Sequence, residues 1–394
     1  MRPRYRIAMV AACPLPAPRG TPIRILRLAE ALALRGHEVH LVTYHLGEGE
    51  VPGCLHLHRI RHVPTYRKTG PGPTYQKLLL IDPLLCAKLL QVLRSHVIDV
   101  VHAHHYEGLM VAAAVPRKRR PLIYDAHTLL EAELPSYPLL LPTRLKTAAG
   151  SWLDRHLPRR ADHVIAVTND IKRQLTAAGQ LSADRVSVIG NGMQRWPLPS
   201  PAAPASADGA PLLVYAGNLA AYQKIDLLLE AFARVRRERP GARLRIITED
   251  GDGWEPYRAL ARDLEIEDAV EVRHAVFELL PRLLSEADVL LNPRLDCPGI
   301  PLKLLNYMAA GKPIVSFAGS GEGLQHGRTA WLVGEGEPAP FAAGILHLLD
   351  HPKLATKLGA AARRGAEAQR TWNDQAGLVE EVYARVLGSR SSGG

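Results

Sequence analysis

Short apolar runs alternate with amphipathic stretches along nearly the whole of this 394-residue chain, and the alternation limits the folds open to it. The first cycle has a strand pattern over residues 6–10, a loop rich in Pro and Gly, a helical period over residues 22–34 and a second strand pattern over residues 39–43. Two strands joined through a helix pair in parallel. We therefore expect an α/β fold built on parallel sheets.

The cycle repeats, and a change in composition divides the repeats into two halves. Residues 197–211 read PLPSPAAPASADGAP, a composition typical of an extended linker without a core. Further strands are predicted at 97–102, 122–124, 163–167 and 186–189 before the linker, and at 212–216, 243–247, 270–273, 289–292, 313–317 and 330–333 after it. Helices are predicted near 75–94, 108–114, 144–157 and 170–178, then at 225–236, 254–264, 277–285 and 301–310, with more helix to about 387.

This pattern predicts two Rossmann-like, doubly wound domains. We expect the first at residues 1–195, a linker at 196–210 and the second at 211–370, with the two domains facing a cleft and residues 388–394 fraying. Ligands in such sheets bind at the carboxyl ends of the strands.

Composition excludes several classes of protein. No apolar run approaches the roughly 18 residues of a membrane span, and Pro14 breaks the first apolar stretch too early for a secretory signal. The four cysteines are widely spaced and form no C-x-x-C, which disfavours a zinc knuckle or a disulfide scaffold and fits a reducing compartment. We expect a cytoplasmic protein, with peripheral contact at the inner face of a membrane left open.

Charge is unevenly distributed between the halves. Residues 1–195 carry 27 Lys and Arg against 14 Asp and Glu, a net charge of +13, whereas the remaining residues have a net charge of −3. The first half should attract anions, such as phosphorylated ligands or acidic lipid headgroups. The alternative is an Arg-rich surface that simply faces water.

Several well-known site motifs are absent. The sequence has no G-x-x-x-x-G-K-[ST], no H-E-x-x-H, no Cys/His zinc spacing, and no G-x-G-x-x-G in its first βα turn. Aromatic residues make up only 5% of the chain, with no basic, aromatic stripe, so nucleic acid is not an expected partner.

Three segments of the first half carry candidate site residues. In PRGTPIR, Gly20 lets the backbone approach a ligand and Thr21 is expected to cap a helix whose free N–H groups favour an anion. In VHAHHYEG, period two places His102 and His104 on one strand face, where ligand contact or packing is favoured over a metal site because no third ligand is evident.

The third segment is YDAHTLLE, directly after an apolar strand. Its Asp125-x-His127 lies where such folds place functional groups, although a structural Asp–His hydrogen bond explains it equally simply.

The second half contains the most specific segment. After NPR the chain continues CPGIPLKLLNYMAAGKP, a turn, a short helix and a turn between two strands. Gly299, Ile300 and the first helical N–H groups can cradle a diphosphate. Lys303 and Asn306 lie three residues apart and share a helix face, where they can neutralise phosphate and hydrogen-bond a hydroxyl pair.

This segment resembles the signature of family-four glycosyltransferases, the retaining group with the GT-B fold. The resemblance extends to LAEALALRGHEVHLVT early in the chain, to IGNG before the linker and to LVYAGNLAAYQKIDLLLEAF after it. It implies transfer of a sugar from a nucleotide-sugar with anomeric retention and without a metal cofactor. It also implies that the last helix, at 371–387, crosses back to the first domain.

The resemblance implies roles for individual residues. His127 would lie near the transferred sugar and the β-phosphate, with Lys224 as the second catalytic residue. Donor binding would involve a larger group, namely Gly20, Asn218, Gln223, Arg294, Gly299, Ile300, Lys303 and Asn306. Arg19, His104 and Asp125 would lie on the acceptor side, and the acceptor would be a glycan, a lipid-linked sugar or a small molecule.

Some positions depart from the family pattern. The two glutamates of the family fall on Pro298 and Asn306, and Asp296 is the nearest carboxylate. Asn218 stands where the family has a diphosphate-binding Arg, and Gln223 where it has a Lys, with Lys224 next to it. These departures leave two alternatives open, a non-catalytic binding module and a sugar-nucleotide epimerase. The epimerase is disfavoured because the motif is poor in carboxylates.

Overall fold

The computed structural model describes residues 3–17, 19–47, 49–70, 72–137, 141–177, 181–193, 209–248, 252–274, 279–297, 301–334 and 336–391. The chain divides into two compact units, residues 1–192 with 370–394, and residues 193–369. Residues 194–208, which include most of the linker predicted at 196–210, lie outside the described part of the chain.

The first unit has a parallel sheet of seven strands in the order β3-β2-β1-β4-β5-β6-β7. The strands are β1 (Arg6–Ala11), β2 (Glu38–Thr43), β3 (His56–Arg59), β4 (Val100–His104), β5 (Leu122–Ala126), β6 (His163–Ala166) and β7 (Val186–Val188). Its helices are α1 (Gly20–Leu34), α2 (Asp82–Ser95), α3 (His105–Ala114), α4 (Leu130–Glu133), α5 (Thr143–His156) and α6 (Asn169–Thr176). The strand order reverses between β1 and β4, the type of point at which α/β sheets bind ligands.

The second unit has a parallel sheet of six strands in the order β10-β9-β8-β11-β12-β13. The strands are β8 (Leu212–Ala216), β9 (Arg243–Thr248), β10 (Val270–His274), β11 (Val289–Asn292), β12 (Ile314–Phe317) and β13 (Trp331–Val333). Its helices are α7 (Ile225–Glu238), α8 (Glu255–Asp263), α9 (Leu280–Ser285), α10 (Leu302–Ala310), α11 (Pro338–Asp350) and α12 (Pro352–Glu367). Here the order reverses between β8 and β11.

Buried apolar side chains explain why these strands form. All five residues of β4, β5 and β8 are buried, as in a parallel sheet covered on both faces. The apolar strand patterns therefore gave the central strands correctly. They gave no signal for β3, whose sequence is HLHR, because this edge strand is only partly buried.

The final helix, α13 (Trp372–Ser391), belongs to the first unit. Glu380 pairs with Arg35 at the end of α1 (2.6 Å) and with His37 (2.9 Å). Gly192 permits this arrangement, since a Cβ there would approach the Trp372 backbone to 2.5 Å. The composition of the tail predicts fraying from residue 388, but the helix continues to Ser391. A helix of this length is already nucleated, so extending it through Gly388 costs only about 1 kcal/mol.

The start of α1 also differs from the expectation. The helix begins at Gly20, two residues early, and its N-cap is Arg19, which makes no side-chain hydrogen bond to the helix. Thr21 is therefore inside the first turn and not the cap. Its hydroxyl contacts a histidine instead, as described below.

Candidate functional site

Histidine rings gather where β4 and β5 of the first unit end. His102 and His104 stack with ring centroids 4.4 Å apart and planes 22° from parallel, which confirms the prediction that they share a strand face. The next strand contributes Asp125, and His127 follows it. The His104 and His127 rings meet edge to face at 5.6 Å.

A buried ion pair supports this cluster from α1. The Arg24 guanidinium contacts both oxygens of Asp125 at 2.9 to 3.3 Å, and both side chains are almost completely buried. Arg24 also donates to the carbonyls of Gly190 and Ile189, at 2.8 Å each. Arg24 was not among the predicted site residues, although it lies one turn before the buried Leu28 on the inward face of α1.

The ion pair and burial keep the histidine rings neutral. Burial and the nearby Arg24 guanidinium lower the pKa of His102 to about 3. The pKa values of His104 and His127 fall well below the usual range, again because the rings are buried and lie close to other cationic groups. These rings therefore orient one another through hydrogen bonds rather than through charge.

His127 lies beside the start of α1. Its Nδ1 is 3.2 Å from the Thr21 hydroxyl, and its Nε2 is 3.4 Å from His104 Nδ1. Gly20 is exposed, and a Cβ added there would meet nothing within 4 Å. The structure thus brings His127 together with an open helix N-terminus, whose free N–H groups favour an anion.

Two of the residues expected on the acceptor side are placed differently. Asp125 is 0% exposed and His104 is 1% exposed, so neither presents an atom to a ligand in this arrangement. Both contact the His127 ring from inside the protein, since its Nε2 is 3.4 Å from His104 Nδ1 and 3.7 Å from Asp125 Oδ1. Arg19, the third of the set, remains partly exposed at the N-cap of α1.

The final helix also reaches this cluster. The Tyr383 hydroxyl is 2.6 Å from His102 Nδ1, and Gln375 donates to the Asn191 carbonyl at 3.2 Å. Neither residue was singled out from the sequence, because their partners lie more than 180 positions away.

His102, His104 and Asp125 have ligand atoms within 4.8 Å of one another, which raises the question of a metal. Their chemistry does not suit a cation. The Asp125 carboxylate is already neutralised by Arg24, and Tyr383 takes one nitrogen of His102.

A second site lies at the carboxyl ends of β8 and β11 in the other unit. Lys303, in the first turn of α10, donates to Gln223 Oε1 at 2.5 Å, and its ammonium lies 4.7 Å from the centre of the Tyr215 ring. Burial, reinforced by the positive charge of Arg294, lowers the pKa of Lys303 to about 7. Within the described residues, no Asp or Glu forms an ion pair with it.

Other predicted residues gather around Lys303. Arg294 packs over the Tyr222 ring at 4.9 Å, and the hydroxyl of that tyrosine accepts a hydrogen bond from Asn218 at 3.1 Å. Lys224 is partly exposed at the N-cap of α7, with a left-handed backbone (φ 57°). The tyrosines were not predicted, although Tyr215 is the last residue but one of the buried strand β8.

Four further predicted positions belong to this unit. Asn306 follows Lys303 by one turn of α10 and is partly exposed. Asp296, the nearest carboxylate to the family glutamate position, is exposed. Gly299 and Ile300 lie outside the described residues, so the diphosphate cradle expected there stays a prediction.

Comparison with known proteins identifies the family. A family model described as Glycosyltransferase Family 4 matches residues 18–194, and one described as Glycosyl transferases group 1 matches residues 210–351. The chain belongs to glycosyltransferase family four. It is a retaining glycosyltransferase with the GT-B fold, as the motif resemblance implied. Enzymes of this family use nucleotide-sugar donors.

Relatives match the chain over almost its whole length. The D-inositol 3-phosphate glycosyltransferase of Streptomyces scabiei is 29% identical, covering 93% of this chain and 86% of that protein. The enzyme of the same name from Kineococcus radiotolerans is 27% identical, with 95% and 92% covered.

Solved structures show the same fold. Sucrose-phosphate synthase from Thermosynechococcus elongatus has a TM-score of 0.81 at 20% identity, covering 98% of this chain and 100% of that one. Anabaena HepE in complex with UDP-glucose has a TM-score of 0.70 at 17% identity, covering 98% and 100%.

None of the helices in the described part of the chain combines the length and apolar character that crossing a membrane requires.

Proposed function

We propose that this glycosyltransferase binds the diphosphate of its donor through Lys303, with Arg294 and Lys224 adding positive charge. The observation that carries the proposal is a half-buried ammonium beside a second cation, with no carboxylate partner among the described residues. Burying an unpaired charge is costly, so such a group calls for an anion. A diphosphate at the switch point of the second sheet supplies it.

The neighbouring polar residues would orient the nucleotide. Gln223 Oε1 accepts a hydrogen bond from the Lys303 ammonium at 2.5 Å, and Asn218 donates one to the Tyr222 hydroxyl. The side-chain amides of Gln223 and Asn218 can therefore direct N–H groups toward a phosphate or sugar oxygen. Asn306 would hydrogen-bond the ribose hydroxyls from the same helix face as Lys303. Gly299 and Ile300 would add backbone N–H groups to the diphosphate cradle.

In the first unit, His127 would hydrogen-bond the transferred sugar and polarise the leaving oxygen. Its ring is neutral, is fixed by Thr21 and His104, and lies beside the open N-terminus of α1 at Gly20. A positioned donor of this kind stabilises charge that develops in the transition state. Arg19 would face the acceptor.

Donor binding would need no metal. Lys303, Lys224 and Arg294 provide the charge that a divalent ion otherwise provides to a leaving diphosphate. Turnover that survives removal of divalent ions with a chelator is the expected result. Loss of turnover that is restored by magnesium or manganese would contradict it.

A phosphorylated polyol is the acceptor class that we favour. Relatives are named D-inositol 3-phosphate glycosyltransferases, and the first 195 residues of this chain carry a net charge of +13. A glycan or a lipid-linked sugar remains the alternative acceptor. Incubation with a panel of nucleotide-sugars, beginning with UDP-glucose, and measurement of thermal shift and of product by mass spectrometry tests the donor and the acceptor together. A protein that binds donors but neither hydrolyses nor transfers the sugar would contradict the proposal.

We also propose a peripheral membrane surface at the cytoplasmic face, centred on α5. Leu145 and Trp152 are 56% and 59% exposed and lie seven residues apart, hence on one helix face, with Arg144 and Arg155 exposed beside them. Apolar and basic residues on one exposed helix are typical of helices that lie in the membrane interface.

A second exposed apolar group lies before α2. Tyr75 and Leu79 are 76% and 78% exposed, within the segment that the sequence predicted as a helix near residues 75–94. The basic run at residues 117–120 is less suited to membrane contact. Its Arg120 donates hydrogen bonds to the carbonyls of Leu93, near the end of α2, and of Ile98, which follows α2.

Sedimentation of the full chain with vesicles tests this surface. Binding to anionic but not to neutral vesicles, weakened by salt and by Trp152→Ser, is the expected result. Binding that is unchanged in Trp152→Ser would place the contact elsewhere.

A further inference from the structure

Four histidines cluster at the β3 edge of the first sheet, away from His127. His40 is the third residue of β2, His56 and His58 lie on the edge strand β3, and His96 follows the last residue of α2. The register pairs His40 with His56, so that His40, His56 and His58 fall on one face of the sheet. α2 packs against both strands and delivers His96 to the same place.

The rings touch one another closely. The His40 ring lies 4.5 Å from His96, 4.9 Å from His56 and 5.2 Å from His58, and the His58 and His96 rings are 5.3 Å apart. One ligand nitrogen from each of His40, His58 and His96 can be chosen so that all three lie within 4.8 Å of one another.

We propose that His40, His58 and His96 bind a transition-metal dication of the zinc type, with water completing a tetrahedral shell. Zinc accepts imidazole nitrogens at about 2.0–2.1 Å, so two ligands of one tetrahedral ion lie about 3.3 Å apart. His40 Nδ1 and His58 Nε2 are 3.0 Å apart, close to that separation. His96 is exposed and can move its ring by the remaining distance, at most about 1.5 Å, without disturbing the core.

A carboxylate prepares His40 for this role. Glu38, two residues earlier on the same strand face, lies 3.0 Å from His40 Nε2. When Nε2–H donates to this carboxylate, the lone pair of His40 is on Nδ1, the atom that faces His58. Carboxylates hold metal-binding histidines in this way, fixing the tautomer and the orientation of the ring.

The ion would be structural and would take no part in sugar transfer. Its ligands lie at the edge of the sheet formed by β3 and β2, whereas His127 follows β5, which is separated from β2 by β1 and β4. It would connect three separate elements, namely β2, the short edge strand β3 and the end of α2. A ligand that binds only the folded state raises stability by mass action.

Zinc titration of the full chain, first freed of metal by a chelator, tests the proposal by calorimetry. We expect the native protein to bind one zinc ion per chain tightly. The zinc affinity of His58→Ala and of His96→Ala should be at least tenfold weaker. Glu38→Gln should also weaken binding by about tenfold or more, the usual effect of removing a carboxylate partner. His96 is exposed, so His96→Ala is the variant least able to disturb folding, which circular dichroism checks.

The matched control is His351→Ala. His347 and His351 on α11 and just after it form another close pair of histidines, with ring centroids 4.3 Å apart, but no third ligand is grouped with them in the described residues. This variant should still bind one zinc ion tightly. Zinc should also raise the melting temperature of the native protein and of His351→Ala, but not that of His96→Ala. The proposal would be overturned if zinc bound tightly to both His58→Ala and His96→Ala, or if the native protein bound no zinc ion tightly.

Discussion

Replacing Lys303 by methionine should have opposite effects on stability and on donor binding. Methionine keeps the length of the side chain and removes the charge that the fold desolvates. The pKa of Lys303 falls from 10.5 to about 7, and each pKa unit corresponds to about 1.36 kcal/mol. Lys303→Met should therefore raise the free energy of unfolding of the free protein at pH 7 by several kcal/mol, with about 5 kcal/mol as the ceiling.

The gain should depend on pH in a defined direction. Between pH 7 and 10.5 the unfolded chain holds a proton on Lys303 that the folded protein has released, so the stability of the native protein rises with pH in this window. The difference in the free energy of unfolding between Lys303→Met and the native protein should thus be largest below about pH 7. It should shrink as the pH approaches 10.5. Urea unfolding at several pH values measures it.

The same substitution should weaken binding of a nucleoside diphosphate. A hydrogen bond to a charged group contributes about 1.5–3 kcal/mol, so we expect an affinity loss of roughly 10- to 150-fold by calorimetry with UDP. Lys312→Met is the matched control, because burial also lowers the pKa of Lys312, but this residue lies before the amino end of β12. Unchanged UDP affinity in Lys303→Met, or lower stability of the free variant at pH 7, would refute the reasoning.

Three further outcomes are expected in the first unit. His127→Ala should lower turnover by about 10²–10⁴-fold with the circular dichroism spectrum unchanged, and turnover at the native level would assign His127 a purely structural role. Arg24→Met should cost about 3–5 kcal/mol in urea unfolding, because it leaves Asp125 buried without its partner; a loss below about 1 kcal/mol would contradict this. Burial alone would lower the pKa of His105, but Glu133 outweighs it and the pKa is raised above 6.5. The stability that this pair contributes should be present below pH 6.5 and lost as the pH rises through the raised pKa, so the advantage of the native protein over His105→Gln in urea should fall with pH, and a constant difference would argue against the pair.

The apolar pattern was sufficient to predict most of the fold but not its edges. Strands such as β4 and β8 are buried along their whole length, so their sequences are continuous apolar runs. The edge strand β3 has no such run, and its histidines only acquire a common face when β3 pairs with β2. A pattern confined to one segment does not contain that pairing.

The first-unit site was partly accessible from the sequence. Period two placed His102 and His104 together correctly. Arg24 was missed because a charged residue in an amphipathic helix is ordinarily placed on the solvent face. Its position relative to Leu28 was the signal, since a charge within the apolar stripe of a helix must find a buried partner. That partner, Asp125, is 101 residues away, so the pair is decided by tertiary structure.

The second-unit site shows how a change of residue type alters the chemistry of a neighbour. The family resemblance puts a glutamate where this chain has Asn306, one helical turn after Lys303. A carboxylate at that place would stabilise the ammonium and hold its pKa up. With a neutral amide there, and with Arg294 adding positive charge, Lys303 is poised to titrate near pH 7. A diphosphate would then supply the missing negative charge and raise the pKa again, so donor binding above pH 7 takes up a proton. With an amide in place of the carboxylate, the pH dependence of donor binding would therefore change, although Lys303 itself is retained.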